Sequence, residues 1–297
     1  MITPPYLQKG QTIGIVAPAK YIEQSKYPQI INLIESKGYK VVRGKTTYLQ
    51  DNIFAGNTNE RAEDLQQMID NDYINAVFCL RGGYGTIHIA DRLNFDKLKK
   101  YPKWVVGFSD ITILHNILTN SGIESIHGQM PVNFSENNTS VDMLFDVLEG
   151  KKLQYSIDIT DFNRQGKASG LLTGGNIAVL TSLLSTPFDV DWNSKILFIE
   201  EVGEYLYRLD RMMYQLKLSG KLKNLAGVIV GGLSSMQDNN PPFGKNAQEI
   251  IFNAIKDYDY PVCFNFPAGH IKENMPLIFN RKVLLEVTAE KAKVIFL

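Results

Sequence analysis

A chain of 297 residues, 44% hydrophobic and 21% charged, is long enough for two globular domains with a substantial core. Its formal net charge is zero, which leaves no electrostatic footprint for nucleic acid or an anionic membrane. No apolar run approaches the ~20 residues of a membrane span, and the N-terminus lacks the charged start and long apolar core of a signal peptide, so a cytoplasmic chain is expected.

The first half alternates strands and helices. TIGIVAP (12–18) reads as a short strand; Tyr27, Ile30, Ile31, Leu33 and Ile34 follow at helical spacing, with Gly38 as the C-terminal cap and YKVVRG as the next strand. NTNERAEDLQQMIDN presents Ala62, Leu65, Met68 and Ile69 on one helical face, and INAVFCL (74–80) is a continuous apolar strand closed by RGGYG. TIHIADRLNF reads as a helix, KWVVGF as a strand and ITILHNIL as a helix. Apolar strands separated by amphipathic helices predict a parallel sheet covered on both faces, with ligands bound beyond the carboxyl ends of its strands. RGGYG and Ser109 both fall at such ends.

The polar stretch 151–168 reads as a crossover between an N-terminal α/β domain (1–150) and a C-terminal α/β domain (169–297). The latter holds GLLTGGNIAVLTSLL, the strand KILFIEE, the helix YRLDRMMYQLKLSG and the strand AGVIVGG. Alternating strands follow around PVCFNFPAGH and KVLLEVTAEKAKVIFL. Cys79 and Cys263 sit in separate apolar runs and read as buried thiols of a reducing compartment.

Ser109 lies on the hinge of GFSDI between an apolar strand and a helix. Two readings compete: a helix N-cap, or a nucleophile elbow that lifts Oγ clear of the sheet and aims the Asp110 amide at an oxyanion. In the second, RGGYG supplies a further amide, from Gly82 or Gly83, if its strand neighbours that of Ser109. RGGYG matches neither a phosphate-binding P-loop nor a dinucleotide fingerprint. A serine nucleophile needs a base. Of the four histidines, His270 in FPAGHIKENMP leads by its place after a strand end, and His127 is second; His115 is expected mid-helix, facing away. The strand KILFIEE ends in Glu200 and Glu201, which alternation puts on opposite faces, so one of the two would orient the imidazole. The alternative is a strand terminus whose carboxylates meet solvent.

RGGYG, GFSD, FIEEVGEYLYRLDR and PAGH, with GIVAPA, FAGNTNERAEDLQ and LLTGGNIAVL, resemble the LD-carboxypeptidase family of serine peptidases, in order and over nearly the whole chain. That family comprises muramoyltetrapeptide carboxypeptidases and the self-immunity peptidases acting on microcin C. The resemblance implies a catalytic triad of Ser109, Glu200 and His270, meeting across a cleft between two lobes. It also implies an oxyanion hole from the Gly83 and Asp110 amides. Family members carry Asp or Glu at the position of Glu201, which favours Glu200 as the orienting group.

The resemblance further implies an N-terminal domain similar to class I glutamine amidotransferases, a smaller swivelling C-terminal domain, and a homodimer without metal or cofactor. The implied reaction is removal of the terminal D-Ala from a murein tetrapeptide during peptidoglycan recycling. Arg81, Tyr84 and Asn176 are substrate-side candidates, while Arg208 and Arg211 are left unassigned. The immunity-type alternative cleaves an acyl sulfamate and needs an aromatic platform, for which Trp192 and Phe188 stand available. A third reading is a non-catalytic protein holding a small anion at RGGYG. HExxH is absent, and the scattered histidines have no metal-ligand spacing.

Overall fold

The computed structural model describes residues 1–297, which divide into two compact units: Met1–Lys151 with Met275–Ile278, and Lys152–Asn274 with Phe279–Leu297.

In the first unit the chain runs β1 (Thr12–Val16), α1 (Tyr27–Ser36), β2 (Lys40–Arg43), α2 (Thr58–Asp70), β3 (Ala76–Cys79) and α3 (Asp96–Lys100). It continues through β4 (Trp104–Gly107), α4 (Thr112–Asn120), β5 (Ser125–His127) and α5 (Asn138–Leu148). β3 and β4 are buried at every position, as expected of parallel strands covered on both faces. The strands β2-β1-β3-β4-β5 stand in that order and pair in parallel. The order reverses at β1, so the crevice beyond the carboxyl ends of β1 and β3 is the topological switch point. Val77 stands opposite Val105, and β3 and β4 are direct neighbours. The loop RGGYG and the turn at Ser109 therefore emerge side by side. α2 opens with a capping box, Asn57 Oδ1 accepting from Glu60 N–H and Glu60 Oε2 from Asn57 N–H.

TIHIADRLNF is not the expected helix. It forms two short 3-10 turns, Thr86–His88 and Ala90–Arg92, broken at Ile89. Thr86, Ile87 and Ile89 are β-branched and resist a long helix, and the Thr86 amide is taken by a side chain described below.

The second unit contains β6 (Gln154–Asp158), β7 (Gly166–Asn176), α6 (Ile177–Ser182), β8 (Ile196–Val202) and α7 (Leu206–Leu218). β9 (Gly227–Ser234), α8 (Ala247–Ile255) and β10 (Val262–Cys263) follow. β11 (Leu277–Phe279) joins the first unit's sheet beside β5, and β12 (Lys282–Val287) and β13 (Lys291–Phe296) complete the second sheet. That sheet has the order β10-β9-β8-β7-β12-β13-β6. β7 serves both halves: Gly166–Leu171 pair antiparallel with β12, and Leu172–Asn176 pair in parallel with β8. Within the stretch read as a crossover, β6 is an edge strand on β13. Leu209, Met213 and Leu216 of α7 and Ile250, Ile251 and Ala254 of α8 share one buried cluster with Leu197, Ile199, Val228 and Val230. No helix is long and apolar enough to cross a membrane.

Candidate active site

β4 ends at Gly107, Phe108 is extended, and Ser109 then takes φ +65° before Asp110 and Ile111 start the helical turn leading into α4. A serine N-cap would sit in the extended region; Ser109 occupies instead the left-handed region, which costs a non-glycine residue about 1 kcal/mol or more. This is the strained strand-to-helix geometry of a nucleophile elbow. The first backbone bond of the turn runs from Ile111 N–H to Phe108 O, so the Asp110 amide precedes the helical ladder. Gly82 is in immediate contact with the serine: a Cβ there would lie 2.9 Å from Ser109 Cβ and 3.2 Å from its Oγ. Gly83, next along the loop, has φ +104° and is exposed, as are Arg81 and Tyr84.

In the second unit, Glu200 is 0% exposed near the end of β8. Its Oε2 accepts two hydrogen bonds from one residue, from His270 Nδ1 at 2.7 Å and from His270 N–H at 3.1 Å. In this contact the carboxylate oxygen accepts and Nδ1 is the ring nitrogen that donates. Burial opposes charging of the imidazole, but the bond to Glu200 and the charges of Glu200 and Glu201 outweigh it and hold His270 above its ordinary value.

The backbone around His270 is built for this contact. Gly269 has φ +112°, and a Cβ there would meet Glu200 Cβ at 2.7 Å and Oε2 at 2.9 Å. Only glycine satisfies both the conformation and the space. Asn274 Oδ1 accepts from Gly269 N–H at 2.8 Å, and Ser234 Oγ donates to His270 O at 2.6 Å.

Glu201 does not meet solvent either. It is 2% exposed; Oε1 accepts from Asn176 Nδ2 (2.8 Å) and Val202 N–H (2.9 Å), and Oε2 from Ala178 N–H (2.8 Å). A register shift between Ile199 and Glu201 lies at this point of the β8–β9 pairing. Burial, aided by the Glu200 charge, raises the Glu201 carboxyl above its ordinary range against the pull of its hydrogen bonds.

The remaining candidates fall out as follows. Asn176 caps α6, its Oδ1 accepting from Val179 N–H at 3.2 Å. Arg81 reaches the Tyr21 carbonyl at 3.3 Å, and the Tyr84 ring stands edge-on to His88. Arg208 pairs with Glu204 at 3.1 Å, and Arg211 lies over the Tyr207 ring. His127 is the last residue of β5 and fully buried, not a loop residue. His115 is a core histidine: Nδ1 meets Ser125 Oγ and Nε2 meets Gly107 O, both at 2.8 Å, and burial pushes it down to about 4. Trp192 packs in the second unit's core, which removes it as a stacking platform, whereas Phe188 is half-buried. The supporting positions carry no sequence signal, since an amide in a loop, as at Asn274, or a hydroxyl at a strand end, as at Ser234, is ordinary there.

Residues 13–128 match the LD-carboxypeptidase N-terminal domain, and residues 169–285 match the LD-carboxypeptidase C-terminal domain. The chain is 34% identical over 300 aligned residues to the probable murein peptide carboxypeptidase of Bacillus subtilis, covering 98% of this chain and 93% of the relative. It is 23% identical to the Escherichia coli microcin C7 self-immunity protein MccF, over 94% of this chain and 92% of MccF. The crystal structure of muramoyltetrapeptide carboxypeptidase from Oxalobacter formigenes superimposes with a TM-score of 0.88 at 27% identity, over 96% of this chain and 98% of that one. Matched in both halves and along nearly its full length, the chain belongs to the LD-carboxypeptidase family and is a serine-type carboxypeptidase.

Proposed function

We propose that this enzyme releases the terminal D-Ala of a murein tetrapeptide through an acyl-enzyme formed on Ser109. Ser109 Oγ attacks the carbonyl of the last peptide bond while His270 Nε2 takes its proton. The amides of Gly83 and Asp110 stabilise the tetrahedral oxyanion, a contribution of about 3–4 kcal/mol per donor in such sites. His270 then protonates the leaving amine of D-Ala, and water, deprotonated by the same imidazole, hydrolyses the ester. Glu200 holds the tautomer and stabilises the imidazolium.

The observation carrying this reading is the double acceptance of His270 by the buried Glu200 Oε2. It is the arrangement a serine hydrolase requires of its orienting carboxylate. The murein substrate rests on the relatives named murein peptide carboxypeptidase and muramoyltetrapeptide carboxypeptidase. The family resemblance adds a cytoplasmic recycling role and a homodimer, the latter read by sedimentation equilibrium.

The likeness to MccF, whose solved structures hold glutamyl sulfamoyl guanosine and aspartyl sulfamoyl adenosine, supports a second substrate class, an aminoacyl sulfamate. Purified enzyme offered tetrapeptides and an aminoacyl sulfamate side by side decides between them by mass spectrometry. Release of D-Ala from the tetrapeptide, lost in Ser109→Ala, is the expected result; cleavage of the sulfamate alone overturns the murein assignment.

A further inference from the structure

Two buried charged side chains with no part in the chemistry above hold the end of the RGGYG loop, and one of them is carried by the serine turn. Arg61, 1% exposed on α2, donates through Nη1 to Pro18 O and Gly85 O, both at 2.7 Å, and through Nε to Gly56 O at 3.3 Å. Its guanidinium lies 4.8 Å from the centre of the Phe54 ring. Asp110 is also buried, and its Oδ2 accepts from Thr86 N–H at 2.8 Å.

Gly85 C=O and Thr86 N–H are the two ends of a single peptide unit. A cation on α2 therefore grips its oxygen, and an anion on the residue following Ser109 grips its hydrogen. A Cβ on Gly85 would stand 2.9 Å from Arg61 Nη1 and from Phe54, so the glycine makes room for the guanidinium. Arg81, Gly83 and Tyr84, just upstream, are exposed, and a loop so rich in glycine has wide conformational freedom unless its base is held. Burying both charges is costly unless every polar atom finds a partner; a loop tolerant of variable spacing has no need of them.

Resting on the reading of Ser109 as the nucleophile, we infer that Arg61 and the Asp110 side chain are positioning residues. They clamp the Gly85–Thr86 peptide and so set the spacing between the loop's oxyanion amide, that of Gly83, and Ser109 Oγ. The Asp110 residue acts twice, its amide as a donor and its carboxylate as the tie that holds the other donor's loop.

The test is the rate at which a fluorophosphonate probe, a tetrahedral adduct former independent of the peptide substrate, labels Ser109. It is measured in wild type, Asp110→Ala, Asp110→Asn, Arg61→Lys and Ser109→Ala, with rates expressed per folded molecule by circular dichroism. Asp110→Ala is expected to slow labelling by about 10- to 100-fold, as a displaced donor does. Asp110→Asn keeps an acceptor for Thr86 N–H and is expected to return to within about 3-fold of wild type. Arg61→Lys keeps the charge but not the fork and is expected to lose about 10-fold. On a turned-over substrate kcat falls with the labelling rate and KM stays within about 3-fold, as for an interaction made only in the transition state. The acid limb of the pH profile stays in place, because the His270–Glu200 pair is untouched.

Labelling of Asp110→Ala within about 2-fold of wild type, or Asp110→Asn no faster than Asp110→Ala, overturns the clamp. If Asp110→Ala does not fold, Arg61→Lys carries the test alone, and a wild-type rate there overturns it equally. Failure of the underlying reading looks different: wild type unlabelled, or Ser109→Ala labelled as fast as wild type, removes the nucleophile and the inference with it.

Discussion

Glu200 Oε2 receives both the ring and the backbone N–H of His270, and this double contact makes residue-scale outcomes calculable in sign. A base whose imidazolium is stabilised must lose its proton above the ordinary histidine value, so kcat/KM should rise with pH along a limb displaced upward from about 6.5. Glu200→Gln keeps a hydrogen-bond acceptor and removes the charge. It should move that limb to lower pH while cutting the plateau rate by about 10²–10⁴-fold; an unmoved limb in the pH–rate profile counts against the assignment. Ser109→Ala should abolish D-Ala release, by about 10³-fold or more, with its circular dichroism unchanged. Gly269→Ala forces a Cβ into Glu200 at a positive φ and should cost about 1–3 kcal/mol in urea unfolding as well as activity.

At the scale of elements, neighbouring strand ends bring candidate residues together within each unit. β3 and β4 deliver RGGYG and Ser109, while β7 and β8 stand in register with Asn176 opposite Glu200. The cap of α6 is shared, since Asn176 caps the helix and also ties to Glu201, which itself takes the Ala178 amide. Asn176→Ala should therefore destabilise the protein by about 1–2 kcal/mol, read as a lowered urea midpoint at unchanged m. A midpoint equal to wild type would show the cap to be dispensable.

At the scale of the whole molecule, each unit buries one free thiol, Cys79 in the first and Cys263 in the second. Burial raises both, Cys263 to about 12, which keeps them as unreactive thiols. A thiol reagent should modify neither in the native enzyme and both in guanidinium chloride. Peptide mapping assigns each site to its own unit, and native labelling of either cysteine would show that unit opening locally.

The alternating parallel architecture, the serine hinge and the candidate base and carboxylate were legible from the sequence because each carries a local signature. Buried parallel strands are continuous apolar runs, a glycine-bearing loop or a lone hydroxyl at a strand end stands out against them, and FIEE ends an otherwise apolar strand in charge. The failures share a cause as well. β6 lies in a stretch whose polar composition reads as a crossover, although Tyr155 and Ile157 alternate with polar neighbours as a half-buried edge strand does. TIHIADRLNF showed helical spacing that β-branched residues and a captured amide override.

Arg61 carries no signal in the sequence, and the solvent-facing alternative for Glu201 fails, since charge in a sequence says nothing about who will neutralise it. What the sequence determined alone was the kind and order of the elements and which residue types stand at their ends, because these depend on contacts within a few residues. Tertiary structure decided which carboxylate faces His270, that Ser109 is held at a positive φ, and that a helix-borne arginine grips the glycine loop. Each of those depends on groups far apart in the chain satisfying one another's hydrogen bonds in a space closed to water.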